Sequence, residues 1–367
     1  MKVLMDRFYA LNHAPIDFYF KQSVRDFVVE EIPLYPFTGN GEHLVLHVRK
    51  KNLSTWELCT LVAKHLTIKT REIGYAGLKD KNAMTKQYIS LPKKFERALE
   101  SFDHPDVKFL SRTYHKNKIH MGHLKGNRFF IRLKKVDPVA AQKIGEALET
   151  IGRYGMPNYF GYQRFGIDGE NYKKGEAILR NRLKERNVRL KNFYVNAYQS
   201  HMFNLWLSRR LEISTMVGSF KSAELSPLLN LPENVIAKMQ AQPQPFKLIE
   251  GDLLMHYPHG RPFEFDGSDE EAERFLERDA VPTGLLIGSR ARRATGLAGT
   301  IEKQFDESFK AIDGLRRYAW VFPEAMEGEY KEAEAWYEMH FTLPRGSYAT
   351  VLIEEIAKRP IKMEESD

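Results

Sequence analysis

The sequence predicts an α+β protein of two domains, one inserted into the other. Three observations carry that reading. At 367 residues the chain exceeds the roughly 100–200 residues of one ordinary domain. Strand-like segments, short and rich in β-branched and aromatic residues, crowd the first third and return near the end. Between them lies a long stretch whose apolar residues recur at helical spacing. With 43% hydrophobic and 28% charged residues, the composition is that of packed cores under a solvated surface, which excludes a disordered chain.

The elements follow in order. DFVVEEI (26–32), HLVLHVRK (43–50), EIGYAG (72–77), KQYISLP (86–92) and RFFIRLKK (128–135) read as strands, bounded by Gly, Pro, Asn or Lys clusters. One helix interrupts them, STWELCTLVAKHL (54–66), with Ser54 and Thr55 as N-cap candidates and Trp56, Cys59, Val62, Ala63 and Leu66 near helical spacing. After residue 135 helical patterns take over in PVAAQKIGEALETIGRYG, KKGEAILRNRLKERN and NAYQSHMFNLWLSRRL. Ser268, with Glu271 three residues on, forms a capping-box start for DEEAERFLERD. Strand character returns in WYEMHFTLP (336–344) and SYATVLIEEIA (347–357). No internal repeat or low-complexity tract occurs, and the GNG at 39–41 precedes no helix pattern, so it is not a dinucleotide loop.

Charge is unevenly spread. The net charge is +8, and the 28 residues from Lys108 to Lys135 contain no Asp or Glu while Lys108, Arg112, Lys116, Lys118, Lys125, Arg128, Arg132, Lys134 and Lys135 are basic. Phe109, Tyr114, Phe129 and Phe130 lie among them, an interleaving of charge and flat rings suited to phosphates and bases. A second basic run, NYKKGEAILRNRLKERNVRLK, sets eight Lys and Arg against Glu176 and Glu185. Acidic residues gather instead in FEFDGSDEEAERFLERD and the tail EESD. Either basic run alone reads as a solvated face; the two together point to a polyanionic partner.

Other classes are set aside by what is missing. The opening MKVLMDRFYALNH has no apolar run of signal-peptide length, and no stretch of membrane-spanning length is free of charge. The single cysteine, Cys59, permits no internal disulfide and reads as a buried core thiol, consistent with a reducing, cytoplasmic setting. His115, His120 and His123 are close in sequence but sit among lysines without carboxylates, so no metal site is read.

The segment with most chemical promise is IGYAGLKDKNAMTKQYISLP, a strand, a polar loop and a second strand. Asp80 sits at the loop tip between Lys79 and Lys81, whose charges favour an ionised carboxylate able to act as nucleophile or base. Taken by itself a KDK triplet is an ordinary solvated turn. GYAGLKDKNAMTKQ, however, resembles the catalytic motif of the TruD family of pseudouridine synthases, whose aspartate falls on Asp80. RDFVVEEIP (25–33), HLKGNRFFI (123–131), GMPNYFGYQRFG (155–166), NAYQSHMFN (196–204), VPTGLLIG (281–288) and FTLPRGSYAT (341–350) resemble further segments of that family, in its order. VPTGLLIG departs from the pattern at one loop position, where a proline would be expected.

The resemblance implies a pseudouridine synthase catalytic domain with a mixed or antiparallel sheet, formed by residues 1–152 together with 309–367. Residues 153–308 would be an α-rich α+β insertion, the two flanking a basic cleft. It implies that Asp80 is the catalytic carboxylate, that Phe129 stacks on the target base, that Asn127 contacts the substrate and that Phe27 and Tyr348 belong to the uridine pocket. By strand alternation alone, Phe27 and Phe129 read as core residues. Lys79, Lys81, Lys125, Arg128 and Arg164 are candidate RNA contacts, as are Asn158 and Gln163, although GMPNYFGYQRFG reads equally as a Gly- and aromatic-rich turn. The implied substrate is tRNA at position 13, with tRNA-Glu favoured; no cofactor and no obligate protein partner are implied.

The chemistry fits these residue types. Pseudouridine formation breaks the N1–C1′ bond of uridine and joins C1′ to C5 of the same base, so the base must detach, turn and re-attach within one pocket. An aromatic wall gives a base about 1–3 kcal/mol of stacking while leaving it free to turn in its plane. The carboxylate could attack the sugar, attack the base or remove a sugar proton, and all three routes stay open. A non-catalytic RNA-binding protein would explain charge and rings but leave Asp80 idle. An RNA methyltransferase would need a glycine-rich cofactor loop after a strand, and none here is convincing; binding of S-adenosylmethionine would revive that reading.

Overall fold

The computed structural model describes residues 7–20, 23–81, 83–166, 168–307 and 309–361. The EESD tail lies outside them. The first part of the chain forms β1 (Tyr19–Phe20), β2 (Phe27–Pro33), β3 (His43–Lys50), α1 (Thr55–Leu66), β4 (Gly74–Tyr75), β5 (Met84–Pro92), β6 (Val107–His115) and β7 (Leu124–Lys134). Then follow α2 (Pro138–Tyr154), β8 (Met156–Pro157), α3 (Asn171–Leu179), α4 (Val188–Ser219), α5 (Ser222–Leu229) and α6 (Glu233–Ala241). The remainder is β9 (Leu253–His256), β10 (Pro262–Glu264), α7 (Asp269–Leu276), β11 (Ala280–Leu286), α8 (Gly296–Lys303), β12 (Leu315–Tyr318), β13 (Trp320–Val321), β14 (Glu324–Lys331), β15 (Trp336–Pro344) and α9 (Ala349–Ala357).

The chain divides into two compact units. The first takes Ile16–Leu148 and Pro323–Gly346, the second Glu149–Phe322 and Ser347–Pro360 with the described residues up to Pro15. The division falls within α2. In the first unit nine strands share one sheet in the order β14-β15-β7-β2-β5-β3-β6, with β1 beside β7 and β4 beside β5. Every pairing is antiparallel except β2 with β5, which lies across the crossover through α1. The second unit holds a sheet in the order β10-β9-β11-β12, the pair β13-β8 and most of the helices. An α+β architecture results.

Local sequence accounts for most of this. Ser54 starts α1 by accepting the Glu57 amide at 3.2 Å, while the Glu57 carboxylate accepts the Ser54 amide at 2.7 Å, a reciprocal capping box. The helix then lays Leu58, Cys59, Val62 and Leu66 onto Leu44, Leu46, Val48, Ile89 and Leu91 of the sheet. Burial pushes the Cys59 thiol up to about 12, so it stays an inert core group. Ser268 likewise caps α7 through the Glu271 amide at 3.3 Å.

Three expectations are corrected. SYATVLIEEIA is not a strand: Ala349–Ala357 is helix α9, and every residue in it is buried. Burial on all sides removes the polar face that distinguishes a helix, and a short apolar run then reads either way. KKGEAILRNRLKERN is helical only as far as Leu179. Conversely, Val107–His115, read only as part of a basic stretch, is strand β6. Its outward Lys and Arg hide the alternation because β6 is the last strand of the sheet path on its side.

Candidate active site

Asp80 is exposed in the loop 76–83 between β4 and β5, and the residues around it are tied down from below. Lys79 turns inward and is only 8% exposed; its Nζ donates to Glu31 Oε2 at 2.7 Å, a buried ion pair. The Lys79 amide donates to Thr55 Oγ1 at 2.9 Å, and Thr55 Oγ1 donates onward to Gln87 Oε1 at 3.0 Å. Lys50, fully buried at the end of β3, donates from Nζ to the Asp80 carbonyl at 3.1 Å and to the Leu53 carbonyl. Two successive loop residues are thereby fastened, the first by its side chain and amide and the second by its carbonyl, and the second, Asp80, is the exposed one. Burial, offset by the nearby Asp80 charge, lowers the Lys50 ammonium to about 8. Lys81 lies outside, at 2.8 Å from Glu57, whose carboxyl that hydrogen bond helps hold at about 2.

Strand register shows what lies beside this anchor. Residues opposite one another share a face of the sheet. Glu31 pairs with Asn127, Val29 with Phe129 and Phe27 with Ile131 across β2 and β7; Phe341 pairs with Phe129 and Leu343 with Asn127 across β7 and β15. Thr85 pairs with Val29 and with Lys50, and Gln87 with Val48, so these polar residues join the same face. The face therefore runs from the aliphatic core under α1, through a strip of Lys50, Thr85, Gln87, Glu31 and Asn127, to an array of phenylalanines. Phe129 stands between Phe27 (centroids 6.1 Å, planes 17° apart) and Phe341 (5.3 Å, 24°), and Phe20 meets Phe27 edge-on at 5.7 Å. In the strip, Thr85 Oγ1, Gln87 Nε2 and Asn127 Oδ1 are buried without a hydrogen-bond partner among the described residues. Such orphaned groups cost about 1–3 kcal/mol each and concentrate where a fold serves function rather than stability.

Asp80, Lys79, Lys81, Phe27, Asn127, Phe129, Lys125 and Arg128 all belong to the first unit, with Lys125 and Arg128 exposed on β7. Tyr348 and Arg164 belong to the second. Tyr348 stands at the N-cap of α9, its ring 6.2 Å from that of Phe160. Gly161 has no room for a side chain there, since a Cβ would lie 2.8 Å from the Tyr348 ring. Arg164 donates to Ser200 Oγ at 3.2 Å and sits over the Phe160 ring. Asn158 is 4% exposed and fixed to the Tyr318 carbonyl and Arg317, which makes it a framework residue. Gln163 and Thr350 face each other at 3.4 Å.

Lys79 is the clearest difference from the sequence reading. As a buried partner of Glu31 it supports the loop and does not present its charge to RNA. Lys50, Thr55, Thr85 and Gln87 were missed altogether. Lys50 could have been found, because Leu44, Leu46, Val48 and Lys50 alternate onto one face, and a lysine in phase with buried aliphatics calls for partners. Among the described residues no group of three or more His, Cys, Asp and Glu could hold a metal ion, and no helix is long and apolar enough to cross a membrane.

Comparison with known proteins identifies the architecture. Residues 4–186 and 233–356 match the family model described as tRNA pseudouridine synthase D (TruD). A tRNA pseudouridine synthase D of Sulfurimonas denitrificans is 60% identical over 97% of this chain and 100% of its own length. Counterparts from a Nitratiruptor strain and from Helicobacter pylori are 57% and 46% identical over 98% and 96% of the chain and 100% and 96% of their own lengths. A solved structure described as TruD from Methanosarcina mazei superposes with a TM-score of 0.64 at 21% identity, covering 96% of each chain, and speaks for the fold. On this extent of match the chain belongs to the TruD family of tRNA pseudouridine synthases.

Proposed function

We propose that this pseudouridine synthase isomerises uridine 13 of tRNA, with tRNA-Glu the favoured substrate, and that Asp80 is the carboxylate that starts the reaction. One observation carries the assignment of Asp80: it is an exposed carboxylate whose own carbonyl and whose preceding residue are pinned to a buried polar strip. Rigid placement of a reacting group lowers the entropic part of a barrier, and a floppy turn would not supply it. The Lys50 ammonium beneath the loop favours the ionised form of that carboxylate.

The remaining roles follow from the same sheet face. Asn127, with its Oδ1 unpartnered, is the polar reader of the uracil edge, and Phe129 and Phe27 form the flat wall that lets the detached base turn. Because Phe129 is 6% exposed and lies between two near-parallel rings, the base would bear on the margin of the array, not on a free-standing ring. By the family resemblance Tyr348 is a further candidate residue of the uridine pocket. Extruding the uridine from its stack costs a few kcal/mol, which contacts between tRNA phosphates and exposed Lys81, Lys125 and Arg128, with Arg164 in the second unit, offset. The reaction takes place in the cytoplasm, where its tRNA substrate resides.

Pseudouridine mapping of tRNA-Glu and a panel of other tRNAs, treated with the parent protein and with Asp80→Asn, tests the reading. The parent should modify uridine 13 and Asp80→Asn should bind without modifying, a loss of at least about a thousandfold, as expected when a covalent or acid–base step is removed. Full activity in Asp80→Asn would remove the carboxylate from the mechanism. Modification at another position would overturn the site assignment alone.

A further inference from the structure

Helix α4 begins outside the body of its unit. Every residue from Arg186 to Phe193 is exposed, whereas from Val195 onward the same helix is largely buried. Val188 is 68% exposed, Phe193 39% and Leu190 37%, so three apolar side chains face solvent in the first two turns. Singly exposed apolar side chains are ordinary; here they alternate with cations along the first turns of one helix.

The charge around it is one-sided. Lys184, Arg186, Arg189 and Lys191 have no carboxylate partner among the described residues, in contrast to Arg180 and Arg182, which pair with Glu176. The one nearby carboxylate, Glu185, is turned to the backbone amide of Asn187 at 2.8 Å. Aromatic groups continue the pattern, with the Tyr194 ring 6.0 Å from Phe193 and under the Lys174 ammonium at 5.1 Å.

We propose that the exposed start of α4 is a docking surface for the sugar–phosphate backbone of the tRNA, separate from the residues assigned to the target uridine. Four unpaired cations in eight residues, next to exposed rings, complement a polyanion, and the family's substrate is one. An acidic protein would match the charge but gives no reason for the rings to stand among the cations. The inference rests on tRNA being the substrate and is independent of the role of Asp80.

The test is tRNA binding by the full chain carrying K184Q/R186Q/R189Q/K191Q, in both the parent and the Asp80→Asn background, from about 50 to 300 mM KCl. Each phosphate contact contributes a slope of about −0.9 in log K against log salt, so loss of four contacts should shallow the slope by about 3.6 and weaken binding roughly ten- to a hundredfold at low salt. Its kcat on saturating tRNA should match the parent, since only KM carries the effect. Phe193→Ser supplies a charge-neutral check and should weaken binding roughly three- to tenfold without changing the slope. Unchanged Kd and slope in the quadruple variant, with an unchanged melting curve, would overturn the proposal whatever the fate of the Asp80 assignment. If the parent binds tRNA in this way yet forms no pseudouridine 13, the proposed reaction site fails and the docking surface stands.

Discussion

The polar strip and the phenylalanine array lie side by side on one face of the same sheet, yet they are held together by opposite means. The array of Phe20, Phe27, Phe129 and Phe341 is stabilised by burial and ring stacking, which tolerate small shifts and lose strength gradually. The strip of Lys50, Thr85, Gln87, Glu31 and Asn127, with Lys79 reaching Glu31 from the loop, is stabilised only while its charges keep their partners. A wall that a base slides against can be soft, but a platform that aims a carboxylate cannot. The fold places the tolerant element where the substrate turns and the intolerant one under the reacting group.

The largest effect should come from cutting the strip. Glu31→Leu leaves the Lys79 ammonium buried without a partner and should cost about 3–5 kcal/mol, read as a fall in the denaturation midpoint. The double change Glu31→Leu with Lys79→Met removes both charges and should restore most of that stability. Activity should remain low in the double variant, because the loop loses its side-chain anchor at residue 79 although the backbone bond to Thr55 persists. Recovery of activity together with stability would mean that the ion pair does not aim Asp80.

A smaller effect is expected in the array. Phe129→Leu keeps an apolar side chain but loses two stacked contacts, and should cost about 1–3 kcal/mol of stability. If the base bears on these rings, kcat/KM should fall roughly tenfold beyond what the stability loss explains, in keeping with about 1–3 kcal/mol of stacking per base. Single-turnover rates on tRNA at a temperature well below both melting points separate the two. A variant destabilised but fully active would confine Phe129 to the core, the reading that strand alternation alone supports.

The two regions also differ in how far the sequence revealed them. Phe27, Asn127 and Phe129 were singled out because they stand in segments that resemble a family, and HLVLHVRK and WYEMHFTLP show their strands by alternation and bounding residues. Apart from Asn127 the strip was not legible, because its members come from β2, β3 and β5 and are tied to α1 and the 76–83 loop, and only strand register and side-chain hydrogen bonds bring them together. Glu31 lay inside a quoted motif but was given no role, since its burial depends on a lysine 48 positions away. Helix α9 was misread for the converse reason. With no exposed face, it carried no periodicity to detect.

The smallest and most discriminating effect concerns Lys50, where strip and loop meet. Its ammonium is lowered to about 8 by burial, while the unfolded chain keeps it near the ordinary lysine value of about 10.4. Between those values the unfolded state binds more protons than the folded one, so this residue makes stability rise as pH increases through the window. Activity should move the other way. Deprotonation weakens the bonds to the Leu53 and Asp80 carbonyls and removes a positive charge that favours ionised Asp80, so kcat/KM should fall about three- to tenfold as pH rises through 8. Lys50→Arg, which does not titrate there, should hold its rate to higher pH, and Lys50→Met should be slow throughout with no limb near 8. A purely structural lysine would leave the shape of the pH–rate profile unchanged in both variants, because stability and activity would then rise and fall together.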